Sequence, residues 1–407
     1  MNRRIILAHP FGNANVRQAL AALHDAGMLE RFITTISADH VGIRKILPAS
    51  VQTEIERRRF PSIPKSTIET HPHLESLRLI GARAARAFPG LANSFPTVDD
   101  VWESTDWYLR RSLRGRDSED LSVYAYEDGA YNTFSSLKEA RKVYELPIGY
   151  WRSMHSLLKE ERERKPEWAA TLSGLKDPQA KLDRKDRELE LADQIIVPSD
   201  FVESTLPLVH QGRTAVVPYG CPVPVSENQV YHSPKGALKV FFCGSLGQRK
   251  GISYLFDAVA RMAPYVEVTV VGTQVAPCAA LTNALRQTKW YPSLPNQAVL
   301  ELMRQSDVLV FPTLFEGRAL VVLEALSQGI PVITTINSGT ADVIVNGESG
   351  FLVPARSTEE IYQALESLYL DRELLSHMKE GALRIAGRSG WSQYRQQLVE
   401  AIRTDCQ

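Results

Sequence analysis

Glu316 and Glu324, with seven residues between them, lie between two short apolar runs, Asp307–Phe311 and Ile330–Thr334. Within that stretch Leu320, Val321, Leu323, Ala325 and Leu326 recur at helical spacing, so the segment reads strand, loop, helix, strand. Gly317 suits a sharp turn before the helix, and Gly329-Ile-Pro331 suits its end. This order puts one carboxylate in the loop. It also aims the opening helix amides, those of Ala319 and Leu320, at the crevice beyond the strand's carboxyl end, where open α/β sheets bind ligands. A second segment, Gly244-Ser-Leu-Gly-Gln-Arg-Lys-Gly251, follows the apolar run Leu238–Cys243 and precedes a helical pattern, so Arg249 and Lys250 face a crevice of the same kind. Cations there would act preferentially on a transition state in which negative charge grows on a bound group. An isolated Arg-Lys pair in a turn is usually solvated, and so are two isolated glutamates. The two motifs in register, each behind a strand, argue for chemistry.

The elements that must hold these groups alternate strand and helix. In the second half the pattern predicts strand Leu238–Cys243, helix Ile252–Met262, strand Glu267–Val271, a helix near Ala279–Arg286, helix Gln297–Gln305 and strand Val308–Phe311. Ser357-Thr-Glu-Glu360 reads as a capping box, and Asn346-Gly347 as a turn before a short strand. In the first half it predicts Ile5–His9, a helix around Val16–Ala26, Phe32–Ile36, Leu121–Tyr126, a helix Ser135–Val143, a strand Leu146–Tyr150, a helix Lys181–Ala192 and a strand Gln194–Pro198. Such βα pairs build parallel sheets covered on both faces. The Pro- and Gly-rich segment from Pro218 onward reads as a connection between two units.

On these residues the chain resembles the retaining GT-B glycosyltransferases of family 4, whose donor-binding signature is a glutamate pair at this spacing. The resemblance implies an α/β GT-B fold, with two Rossmann-like domains facing across a cleft and a C-terminal helix crossing back to the first. Its implied boundaries are an acceptor domain 1–218, a linker 219–236, a nucleotide-sugar domain 237–388 and a returning helix 389–407. It makes Glu316 the carboxylate beside the transferred sugar, Glu324 the acceptor of a ribose hydroxyl, and Lys250 with Arg249 the cations on the diphosphate. Gly244, Ser245, Gly317, the amides of Ala319 and Leu320, and Gly339 complete the implied donor site. The chain departs from the family's common pattern in three places: Ser245 stands where an arginine is frequent, Ala319 where a second glycine is frequent, and Asp342 where a glutamate usually ends the glycine-rich segment. The resemblance further implies transfer with retention to a saccharide or lipid-linked saccharide, a UDP- or GDP-type donor, and no cofactor. No Asp-x-Asp placed after a strand suggests a metal site.

The acceptor side is read from strand ends. In His9-Pro-Phe-Gly-Asn-Ala-Asn-Val-Arg17, Gly12 allows a close backbone approach, and Asn13, Asn15 and Arg17 suit hydroxyl or anion binding; alternatively Asn15 caps the helix. Glu127 and Asp128 follow one strand, and Tyr150 and Arg152 follow another, with Tyr150 or Trp151 able to stack on a sugar.

Composition sets the outer limits. A chain of 407 residues exceeds what one core usually supports, which predicts two domains. Lys+Arg and Asp+Glu balance at 47 each, so nothing global points to nucleic acid. Four scattered cysteines without C-x-x-C spacing fit a reducing compartment, and the apolar run after Arg4 is too short for a signal peptide. A cytoplasmic protein is expected. Residues 41–90 carry nine Lys/Arg against four Glu, a surplus that would suit peripheral contact with an anionic inner membrane face, although no clean amphipathic stripe runs through them. A same-fold epimerase or phosphorylase, or a silent sugar-binding protein, is the alternative. A dinucleotide oxidoreductase is disfavoured, because no G-x-G-x-x-G follows the first strand or Leu238–Cys243.

Overall fold

Runs such as Ile5-Ile-Leu7 and Val308-Leu-Val310 are apolar at every position, so they suit strands covered on both faces, and all six residues are fully buried. The computed structural model describes residues 3–40, 52, 55–88, 90, 94–230 and 236–404. Arg44, Lys45 and Glu54 of the basic stretch, residues 231–235 of the connection and Cys406 lie outside them.

Seven strands form the first sheet: β1 Arg4–Ala8, β2 Leu29–Thr34, β3 Ile68–Thr70, β4 Leu121–Tyr126, β5 Arg141–Glu145, β6 Gln194–Val197 and β7 Thr214–Val216. Six form the second: β8 Leu238–Cys243, β9 Val266–Val271, β10 Lys289–Tyr291, β11 Val308–Phe311, β12 Val332–Thr334 and β13 Gly350–Leu352. Their orders are β3-β2-β1-β4-β5-β6-β7 and β10-β9-β8-β11-β12-β13. Every recorded strand pairing is parallel. Both orders reverse at one point, between β1 and β4 and between β8 and β11, and the crevices beyond those carboxyl ends are where doubly wound sheets bind ligands.

The two carboxyl edges face each other. The loop after β11 brings Gly317 so close to the Pro147 carbonyl, in the loop after β5, that a Cβ on Gly317 would lie 1.7 Å from that oxygen. Ser199, just past β6, donates its hydroxyl to the Gly317 carbonyl at 2.7 Å. Phe315 stands edge-on to Phe201 with ring centroids 5.3 Å apart.

The last helix, Trp391–Arg403, crosses back onto the helix Ala14–Asp25. Tyr394, Leu398 and Ile402 are buried there, and Arg395 donates to Gln18 at 2.8 Å. Arg141 on β5 donates to the Ile402 and Thr404 carbonyls at 2.7 and 2.9 Å. In the second half, Ser357 accepts from the Glu360 amide at 3.2 Å and so opens the helix Thr358–Leu370. Among the described residues no helix is long and apolar enough to cross a membrane.

The first half corrects two sequence expectations. The helix expected at 135–143 is a one-turn helix, Tyr131–Phe134, followed by β5. The strand expected at Leu146–Tyr150 is the loop after β5, leading into the helix Trp151–Arg164. Strands β3 and β10 and the helices His73–Ala87 and Val98–Ser112 were not foreseen.

Candidate functional site

The loops after β8 and β11 are zipped together. Gly251 has φ of +66°, and a Cβ there would lie 1.9 Å from the Pro312 carbonyl oxygen, so only glycine lets the loops close. The Arg249 carbonyl then accepts from the Leu314 amide at 2.8 Å and from the Thr313 hydroxyl at 3.1 Å. This closure carries both cations to one carboxylate. Arg249 donates to Glu316 Oε1 at 3.1 Å and also bonds the Phe315 carbonyl. Lys250 Nζ contacts the same Oε1 and lies 5.1 Å over the Phe311 ring. The Glu316 amide donates to the Asn337 carbonyl at 3.1 Å, which fixes the loop from below.

Burial pushes the Arg249 guanidinium down to about 10, still charged at neutral pH. Burial and the neighbouring Arg249 lower the Lys250 ammonium, a direction that the touching Glu316 carboxylate opposes. Glu324 lies on the helix Leu320–Ser327 and accepts from Asn296 at 3.1 Å. Its carboxyl is raised by burial. Burial, with the Glu324 carboxylate adding to it, pushes the Cys243 thiol at the end of β8 up to about 12.

The smaller residues of the implied donor site have different parts. Ser245 is exposed after β8. Gly244 has φ of +156°, a conformation that favours glycine, and its carbonyl is approached so closely by Gly272 that a Cβ on Gly272 would lie 1.8 Å away. Gly339, with φ of +69°, packs on the Gly317 carbonyl. Gly317 itself has no positive φ; what demands glycine there is the Pro147 carbonyl across the cleft. One expectation fails: the Ala319 amide does not point into the crevice, because it donates to the Ser338 carbonyl at 2.9 Å. The Leu320 amide has no acceptor among the described residues.

Most of the polar groups expected on the acceptor side turn inward. Asn13, not Asn15, occupies the cap position of the helix Ala14–Asp25, without a side-chain capping bond. Asn15 is buried and donates to Glu145 and Tyr219 at 3.3 and 3.2 Å. Arg17 is spent on the Gly12, Arg57 and Arg59 carbonyls and lies over Phe60. Glu127 pairs with Lys185 at 3.2 Å, and Asp128 sits among Lys181, Arg184 and Lys185. Tyr150 donates to Asp186 at 2.8 Å, and Arg152 pairs with the same carboxylate while lying 4.3 Å over Trp151. Glu127, Asp128, Tyr150 and Arg152 thereby brace the helix Gln179–Leu191 against its neighbours. Gly12, with φ of +66°, keeps its place at the crevice end of β1, closed from behind by Phe60.

Residues 226–384 match the family model described as glycosyl transferases group 1. That part of the chain is similar to the group 1 glycosyltransferases, and the chain as a whole has the GT-B fold. A D-inositol 3-phosphate glycosyltransferase of Corynebacterium urealyticum is 27% identical over 220 residues, covering 48% of this chain and 52% of that protein. An α-1,3/1,6-mannosyltransferase of Neurospora crassa is 29% identical over 175 residues, covering 41% and 37%. The chain thus spans about half the length of the curated relatives it matches. Among solved structures, sucrose-phosphate synthase from Thermosynechococcus elongatus superposes with a TM-score of 0.59 at 17% identity over 98% of both chains. HepE from Anabaena, in complex with UDP and glucose, superposes with a TM-score of 0.60 at 15% identity over 99% and 100%. Those likenesses concern the fold.

Sequence reasoning missed Arg318 in this glycosyltransferase fold. It is buried, forks onto both carboxylate oxygens of Asp342 at 2.6 and 2.9 Å, and donates to the Gly339 and Tyr219 carbonyls at 2.9 and 2.8 Å. Its signal was the presence of Asp342 where the family's pattern ends in an acid: a buried fork needs such a partner. Among the described residues no cluster of His, Cys, Asp and Glu is arranged to hold a metal.

Proposed function

We propose that the protein transfers a sugar, with retention, from a nucleotide diphosphate sugar to a saccharide or lipid-linked saccharide acceptor. One observation carries this reading: a carboxylate and two cations meet where the switch-point loops of the second sheet face the first domain. A diphosphate seated over Gly244 and the Leu320 amide would draw Lys250 and Arg249 to its oxygens. Glu316 would then be released from Lys250 to hold the sugar and support the positive charge that grows on it. Charge on the departing phosphate is met by cations already in place, so little reorganisation is needed as the bond breaks. Glu324, on the helix that follows the Glu316 loop, would accept from the ribose. The departing phosphate would take the acceptor's proton on the same face of the sugar, giving retention. The relatives whose names state sugar transfer, and the UDP and glucose of the HepE complex, support the donor class.

Thermal unfolding with UDP, GDP, ADP and CMP tests the donor. The matching nucleotide at 100 times its dissociation constant should add about 2.7 kcal/mol of stability. Incubation with the corresponding labelled sugar nucleotide should then give slow hydrolysis without acceptor and a retained glycoside with one. An epimerised donor, or sugar phosphate formed from added phosphate, would replace transfer by the alternative activities. Tight nucleotide binding with neither hydrolysis nor transfer would leave a binding protein.

A further inference from the structure

Arg249 and Lys250 stand on a single turn, Gln248–Lys250, and residues of the first half hold the start of that turn. Gln248 is fully buried. Its backbone amide donates to the Thr171 hydroxyl at 2.9 Å, and that hydroxyl is itself aimed by donating to the Trp168 carbonyl at 2.7 Å. Its side-chain amide donates to Glu161 Oε1 at 2.8 Å and to the Ser253 hydroxyl at 2.7 Å, so both side-chain N–H groups are used. Glu161, on the helix Trp151–Arg164, is fully buried as well. It also accepts from the Tyr254 hydroxyl at 2.8 Å. Arg356 Nε stands 2.9 Å from its other oxygen, an ion pair out of line for a hydrogen bond.

The glutamate loop is seated in the same way. Phe315, next to Glu316, is buried with Met154, Leu158 and Leu172 of the first half. In each loop, then, the residue just before the charged group is the one that the first half grips. The far end of the cation turn is fixed within the second half, by Gly251 against the Pro312 carbonyl. Two like charges side by side repel, so a turn with its first end released would let them part. A displacement of about 1 Å at such a group can cost roughly 10²-fold in rate.

We propose that Glu161 and Thr171 are positioning residues of the donor site: through Gln248 they set where Arg249 and Lys250 stand against a diphosphate. This rests on the transferase reading above, and the test separates the two. UDP and UMP, with GDP and GMP as a second pair, are titrated by calorimetry into the full chain and into T171V, T171S and E161Q. Valine keeps the shape of Thr171 but leaves the Gln248 amide without its acceptor, whereas serine keeps the hydroxyl. The parent should bind the diphosphate about tenfold or more tighter than the monophosphate, the worth of one charge-assisted hydrogen bond. In T171V that ratio should fall about fivefold, through weaker diphosphate binding at unchanged monophosphate affinity, and T171S should restore it. E161Q should lower the ratio in the same direction and carries the test if T171V fails to fold. Contacts that only hold the two halves together would weaken both nucleotides alike or leave both unchanged, and either outcome overturns the positioning role. A parent that holds the diphosphate no tighter than the monophosphate overturns the donor reading itself, and this role with it.

Discussion

At Glu316 one oxygen serves two cations, so removing any member of the trio changes the charge that the others meet. Replacing Glu316 or Lys250 with alanine should lower turnover by about 10²–10³-fold, the usual loss for a principal electrostatic group. Steady-state rates with the donor found by nucleotide screening check this; two active variants would remove both assignments. His9 gives a prediction about stability. It is buried, and desolvation pushes its imidazole down to about 3. The neutral ring accepts the Phe11 and Gly12 amides on Nδ1, both at 3.0 Å. The unfolded chain takes up a proton near pH 6.5, which the folded chain refuses until about pH 3. His9 therefore stabilises the fold above pH 6.5, and that contribution is lost as pH falls, by about 2 kcal/mol at pH 5. Asparagine can offer an oxygen to the same two amides without titrating. Urea unfolding of the parent and His9→Asn at pH 7.5 and 5 should show a difference smaller by that amount in the variant; equal differences would mean that His9 is not held neutral. The meeting of Lys250 and Glu316 was legible in position because both follow strands whose ends are sharp in sequence. Arg318 was not, since its partners at Tyr219 and Asp342 lie far along the chain.

At the scale of elements, glycines govern how closely the loops approach. A methyl on Gly317 would meet the Pro147 carbonyl, so Gly317→Ala should force the two halves apart. We expect a lower melting temperature and a turnover loss greater than the change in nucleotide affinity; an unchanged Tm and kcat would mean that the contact is dispensable. Elements were legible where local pattern and tertiary role agree: β8 and β11 fall on the residues expected. The misplacement of β5 has a physical cause. Leu137, Ala140 and Val143 mimic a helical face, while Arg141 and Glu145 look wrong for a buried strand. Arg141 is satisfied by the carbonyls of Ile402 and Thr404, and Glu145 by Asn15, Tyr124 and Tyr219. No window of local sequence contains those partners. The Ala319 amide is a similar case, taken by a carbonyl nineteen positions later.

At the scale of the molecule, the last helix belongs structurally to the first sheet. Ending the chain at Ser389 would remove Tyr394, Leu398 and Ile402 from the core, and at about 1.5–3 kcal/mol per buried apolar side chain the loss should approach the whole stability of a domain. Calorimetry should show the first half unfolding early or already unfolded, and a single transition at the parent temperature would contradict the packing. Between the halves, Tyr219 offers its carbonyl to Arg318 and its hydroxyl to Glu145 at 2.6 Å. A double-mutant cycle with Arg318→Gln and Glu145→Gln should therefore give a coupling of at least about 0.5 kcal/mol, whereas additive losses would uncouple them. That tyrosine has a practical consequence for anyone building chimeras. Grafting the second half onto a foreign first half would strand a buried phenol unless the new partner supplies groups in the places of Glu145 and Asn15, so an exchange made at the Pro-rich joint has to carry compensating changes into the interior of the first sheet.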